Sequence, residues 1–115
     1  MTYEEVSTLV ESIGYPSAYY QFEEDTAKKP PFVVFYFPQR DDMFADNSNY
    51  THIEQLIIEL YTPEKDWDAE AAVEAVLESN EITYEKEETY IESEQLYMAV
   101  YQAEVLISPA DPEEG

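Results

Sequence analysis

The sequence predicts an α+β domain in the order α-β-β-β-α-β-β, with two helices packed on one face of a mainly antiparallel five-stranded sheet. Three observations predict it. Two segments carry apolar residues at helical spacing and are flanked by capping residues. Five others are rich in β-branched and aromatic residues, as continuous runs or in alternation. Composition supplies a core: of 115 residues, 44% are hydrophobic and 15% aromatic, although 27 Asp or Glu face only 5 Lys or Arg, a formal net charge of −22. Acidic disordered chains lack such aromatic content. With no repeat and no second domain, the chain reads as a single domain, 1–107, and a flexible tail, 108–115, with Pro109, Pro112 and Gly115.

The first helix follows from Thr2 and Glu5, spaced as a capping box, and from Val6, Leu9, Val10 and Ile13 on one face. Glu4 and Glu5 suit the positive end of the helix dipole, and Gly14 with Pro16 ends the helix. Residues 18–22 form a short aromatic strand. The run 32–37, bounded by Pro31 and Pro38, is apolar at nearly every position and reads as a strand buried on both faces. A polar loop, 39–49, carries Met43 and Phe44. The longest strand, 50–61, turns Leu56, Ile58 and Leu60 one way and Ile53, Ile57 and Tyr61 the other, and Pro63 follows its end.

The second helix spans 66–79. Asp66 or Asp68 is its N-cap, and Asn80 its C-cap. Ala69, Ala72, Val73, Val76 and Leu77 make its apolar stripe. Two strands close the domain: a polar, edge-like one at 82–91, and an alternating one at 96–107 that puts Tyr97, Ala99, Tyr101, Ala103, Val105 and Ile107 on one face. Glu92-Ser93-Glu94 reads as the hairpin turn between them.

Charge and composition narrow the function. Nucleic-acid backbones and anionic membrane surfaces are bound through clustered Lys and Arg, and the five here are scattered. No apolar run approaches the ~18 residues of a membrane span. The N-terminal residues lack a signal-peptide pattern, so synthesis in the cytoplasm is the expectation. The chain has no cysteine, and therefore no disulfide or thiolate metal site.

Chemistry-bearing motifs are few. Carboxylate pairs arise by chance at this acid content and read as solvated surface. His52 is the only histidine and reads as a packed or edge residue, since triads and zinc sites need partners for it. Residues 41–49 resemble a calcium loop in composition but lack its spacing and its glycine, and read as an Asx-rich turn. With glycine only at 14 and 115, a phosphate-binding loop is excluded. No catalytic residue, cofactor or metal is expected, and the protein is expected not to be an enzyme. The abundant tyrosines fit a core with a polar rim and an oligomer interface equally well. Met43, Phe44 and Asp46 in the 39–49 loop, Tyr50 directly after it and Tyr90 in the 82–94 region are the candidate interface residues.

Several segments together resemble a family of small prophage proteins of Gram-positive bacteria, encoded among head–tail joining genes just before the major tail protein. They are Thr2-Tyr3-Glu4-Glu5-Val6 with Ile13-Gly14, Ala18-Tyr19-Tyr20-Gln21-Phe22, Pro30-Pro31-Phe32, Phe44-Ala45-Asp46-Asn47 with Tyr50, Glu59-Leu60-Tyr61-Thr62 with Lys65-Asp66, and Lys86-Glu87-Glu88-Thr89-Tyr90-Ile91. That family is similar in gene position and expected fold to the tail terminators, or tail-to-head joining proteins, of long-tailed phages. The resemblance implies a hexameric ring at the head-proximal end of the tail tube. Its partners would be copies of itself, the major tail protein and a head–neck connector or stopper protein. Double-stranded DNA would pass through without specific binding, and the location would be the tail or neck of the virion. The contrasting expectation, from charge alone, is an acidic DNA mimic that inhibits a host DNA-binding enzyme.

Overall fold

The computed structural model describes residues 1–20, 29–42 and 52–108. Its elements are α1 (Tyr3–Glu11), β1 (Ser17–Tyr19), β2 (Phe32–Asp42), β3 (His52–Thr62), α2 (Trp67–Ser79), β4 (Tyr84–Ile91) and β5 (Leu96–Ile107). The expected order and class hold. The five strands form one sheet in the order β1-β2-β3-β5-β4. β1 runs parallel to β2, and every other pairing is antiparallel.

Both helices start where their caps dictate. The Thr2 hydroxyl accepts from the Glu5 amide, and the Glu5 carboxylate accepts from the Thr2 amide, so the capping box is closed. Asp66, of the two candidate N-caps, accepts from the Ala69 amide at 3.0 Å. α1 ends at Glu11, and Gly14 follows in the left-handed region at φ 105°, which no residue adopts more cheaply.

One sheet face and the two helices enclose the core. Val6, Leu9 and Val10 of α1 and Ile13 just after it, with Ala69, Val73 and Leu77 of α2, pack on Val33 and Phe35, on Leu56, Ile58 and Leu60, and on the alternating residues Ala99 to Ile107 of β5. β3 is the sheet's centre and buries residues on both faces, as its two-sided pattern predicts: Leu56, Ile58 and Leu60 inside, Ile57 on the other.

Several boundaries differ from the sequence reading. The strand expected to stop before Pro38 continues to Asp42, so residues 39–42 of the expected loop belong to β2. A register shift between Tyr36 and Gln39 absorbs the proline, which cannot donate to a ladder and is tolerated at a bulge. β1 begins one residue earlier than expected, at Ser17, and ends at Tyr19, where Tyr20 turns to φ 74°; residues 21 and 22 of the expected strand lie outside the described residues. β4 begins at Tyr84: Ile82 belongs to the core beneath the end of α2, where its amide donates to the Leu77 carbonyl. The hairpin turn spans Glu92 to Gln95, with Gln95 at φ 54°. Of the expected tail, Ser108 donates its amide to the Met1 carbonyl at 2.7 Å, and residues 109–115 lie outside the described residues.

Candidate functional site

The sheet order puts β1 and β4 at opposite edges, and each edge carries an aromatic surface of its own kind. At the β1 edge, Tyr19 lies edge-on to Phe35, with ring centres 5.3 Å apart, and Tyr3 is edge-on to Phe37 at 5.3 Å. These rings and Ser7 line an open hollow of about 270 Å³. The Tyr3 hydroxyl donates to the carboxylate of Glu54, which is buried on β3. That bond ties the start of α1 to the central strand.

The positive φ of Tyr20 sends its ring to the other face of the sheet, where it stacks on Tyr36 at 5.3 Å. No helix covers this face among the described residues. Glu59 is its centre. One carboxylate oxygen accepts from Tyr36 and the other from Tyr61, both at 2.6 Å, and Phe32 stacks on Tyr61 at 5.0 Å. Burial and the Glu59 carboxylate push the Tyr36 phenol up to about 12, and the same causes raise Tyr61. Both phenols therefore stay neutral and donate to Glu59.

The far edge is organised by two lysines. The Glu70 carboxylate on α2 is 2% exposed. Its Oε1 accepts from Lys65 at 2.9 Å and from Lys86 of β4 at 2.6 Å. Lys86 also reaches Glu74 at 2.7 Å, and Lys65 reaches Glu88 at 3.1 Å. The Tyr101 hydroxyl donates to Glu74 at 2.9 Å, and Tyr97 donates to Glu88. Glu70 Oε2 has no hydrogen-bond partner among the described residues. Hydrogen bonding to Glu70 raises the Lys65 pKa. For Lys86, burial lowers it, but bonds to Glu70 and Glu74 outweigh burial and leave it raised. Both amines stay protonated, so the cluster clamps α2 to the sheet and offers no amine nucleophile.

On this clamp sits the second aromatic surface. Lys65 lies 5.3 Å from the Trp67 ring centre and 5.4 Å from that of Tyr97. Tyr90 pairs directly with Tyr97 across β4 and β5. Trp67 is 72% exposed and Tyr90 53%. Isolated exposed rings are ordinary, but rings gathered at a strand edge mark a contact surface.

Tyr90 is thus the one expected interface residue that the structure describes, exposed on an edge strand. Met43, Phe44, Asp46 and Tyr50 lie outside the described residues. His52 opens β3 opposite Ile107, a register position on the core face. Sequence reasoning missed Tyr3, Tyr19, Tyr20 and Trp67 as surface residues. A signal existed for Trp67: it falls off the Ala69-Val73-Leu77 stripe, so a helix there must turn it outward. Among the described residues no group of His, Cys, Asp and Glu is arranged to hold a metal ion. Compared with protein-family models and with curated proteins, the chain finds no match.

Proposed function

We propose that the protein is a structural assembly protein of a long-tailed phage. It is a tail terminator that closes into a hexameric ring at the head-proximal end of the tail tube and joins tail to head. One observation carries the reading beyond the segment resemblance: two unlike aromatic surfaces occupy opposite edges of a single sheet. A closed ring of identical subunits needs a heterologous contact, in which each copy offers two different patches. The Tyr3–Tyr19–Phe37 hollow on one copy receives the Trp67–Tyr90 end of the next. Large rings supply contact area at low entropic cost.

The charge of −22 fits the same reading. A negative wall repels DNA, so a genome slides through without adhering. The tube protein below and the neck protein above are the further partners. The protein is made in the host cytoplasm and ends in the virion.

Electron microscopy of tails made with and without the gene tests the proposal. Overlong or headless tails in its absence are expected. Tails of normal length, joined to heads, would sink the reading.

A further inference from the structure

We propose that the outer edge of β4 is a docking site for an extended strand of a partner protein, with Lys or Arg at alternate positions and apolar residues between. This goes beyond the ring reading and does not depend on it.

Backbone geometry comes first. β4 is the end strand, and its register with β5 runs without a break from Tyr84↔Ala103 to Ile91↔Leu96. Alternate residues of such a strand turn N–H and C=O away from the sheet, a template for a further strand. Edges are ordinarily blunted by proline, a bulge or an outward lysine. β4 has neither proline nor bulge, and its one lysine, Lys86, is turned to α2 and held there by Glu70 and Glu74.

What guards the edge is negative charge. Glu85 and Glu87 are exposed and share the face away from the helices. A second copy pairing through β4 would bring four carboxylates together on that face, since a two-fold axis normal to the sheet keeps faces matched. Like charges directly opposite oppose pairing. The same two carboxylates, spaced at the strand's period of two, select a strand with basic residues at i and i+2.

A second feature lies beside them. The start of β4 borders an open hollow of about 730 Å³, whose lining includes Glu81, Glu85 and Glu104, with Gln55 and Gln102, beside apolar residues such as Leu106. No lysine or arginine is among its described lining residues. A basic side chain leaving the added strand beside Glu85 enters this hollow, and the next lies along Glu87. On the helix side β4 presents Tyr84, Lys86 and Glu88 before Tyr90, and the first apolar residue of the strand packs on the Tyr84 ring, leaving Tyr90 to the ring contact.

The test uses the full chain and an eight-residue acetylated, amidated peptide of alternating Lys and Val. Saturable binding is expected, with slowed amide exchange at alternate residues of β4. Glu85→Lys with Glu87→Lys should weaken it about tenfold, as two cross-strand ion pairs become repulsions. N-methylation of the peptide's sheet-facing amides should weaken it by a similar factor. The idea is overturned if the N-methylated peptide, or one with the same lysines grouped together, binds as tightly, because the attraction is then ionic without strand pairing. It is equally overturned if the peptide leaves β4 exchange unchanged. All are made at a protein concentration at which the chain alone sediments as a monomer, so failure here leaves the assembly reading standing.

Discussion

The two edges of the sheet solve one problem with different chemistry. Each must fasten a helix and an outer strand to β3. At the β1 edge the fastening is by rings, Tyr19 on Phe35 and Tyr3 on Phe37, with one hydroxyl on Glu54. At the β4 edge it is by charge, with Lys65 and Lys86 sharing one oxygen of Glu70. Rings contribute through area and tolerate loss of one member. A buried carboxylate shared by two cations is costly to disrupt: loss of a lysine leaves the carboxylate less compensated, and loss of the carboxylate leaves Lys65 with Glu88 and Lys86 with Glu74 but nothing tying both to α2 through one buried group. In a chain with so few cations, placing two on one oxygen concentrates the fragility at α2.

The largest expected effect follows from that difference. Glu70→Ala should destabilise the fold by about 3 kcal/mol in urea unfolding, since it leaves two lysines without their shared acceptor. Tyr101→Phe, at the same clamp, should cost about 1.5 kcal/mol by removing the donor to Glu74. At the ring-fastened edge, Tyr19→Ala should cost only about 1 kcal/mol, because the ring is half exposed. Equal losses for Glu70→Ala and Tyr19→Ala would erase the contrast.

Acid separates the edges more gently. The Tyr97 hydroxyl and the Lys65 ammonium hold the Glu88 carboxyl below its ordinary 4.5. A depressed folded pKa gives stability that is present above 4.5 and lost as pH falls through the folded value. The β4 end should therefore loosen first in acid, seen as a change in Trp67 fluorescence before β1 amides exchange faster. Alkali acts on both edges together. Tyr36 and Tyr84 are each raised to about 12, by burial and then by a carboxylate, Glu59 or Glu78. Raised folded values mean stability that is intact below about 10, the free phenol's pKa, and lost as pH climbs toward 12. Absorbance titration should find these two phenols ionising late. Salt should have the smallest effect: despite the ion pairs, modest salt should raise Tm by screening the self-repulsion of −22.

Most of the architecture was legible because periodicity and caps report directly on local structure. Val6, Leu9, Val10 and Ile13 defined α1, and the alternation from Tyr97 to Ile107 fixed both the extent and the inward face of β5. Pro38 misled because a bulge can absorb a proline that would end a regular strand, and nothing local announces a bulge. The Glu70 cluster was invisible for another reason. Glu70 lies two helical turns from Leu77, Lys86 arrives from a separate strand and Lys65 from a loop, so only the tertiary fold shows that one carboxylate serves both. Among the described acids Glu54 and Glu70 are buried; Glu70's spacing from Val73 and Leu77 puts it on the apolar stripe of α2, but nothing local names its partners. Tyr90 could be placed on an edge strand because such strands are recognisable by polarity, and Trp67 could have been placed outside the apolar stripe of α2; that Tyr19 lies at the opposite edge required the strand order.

The proposed head-to-tail contact between unlike edges is most directly tested by mixing two variants. One carries Trp67→Asp and Tyr90→Asp, the other Tyr19→Asp and Tyr20→Asp. Sedimentation at high protein concentration, or on tail tubes, should show rings for the unaltered chain, none for either variant alone, and pairs when the variants are mixed, each lending its intact edge. Rings formed by either variant alone would contradict the account.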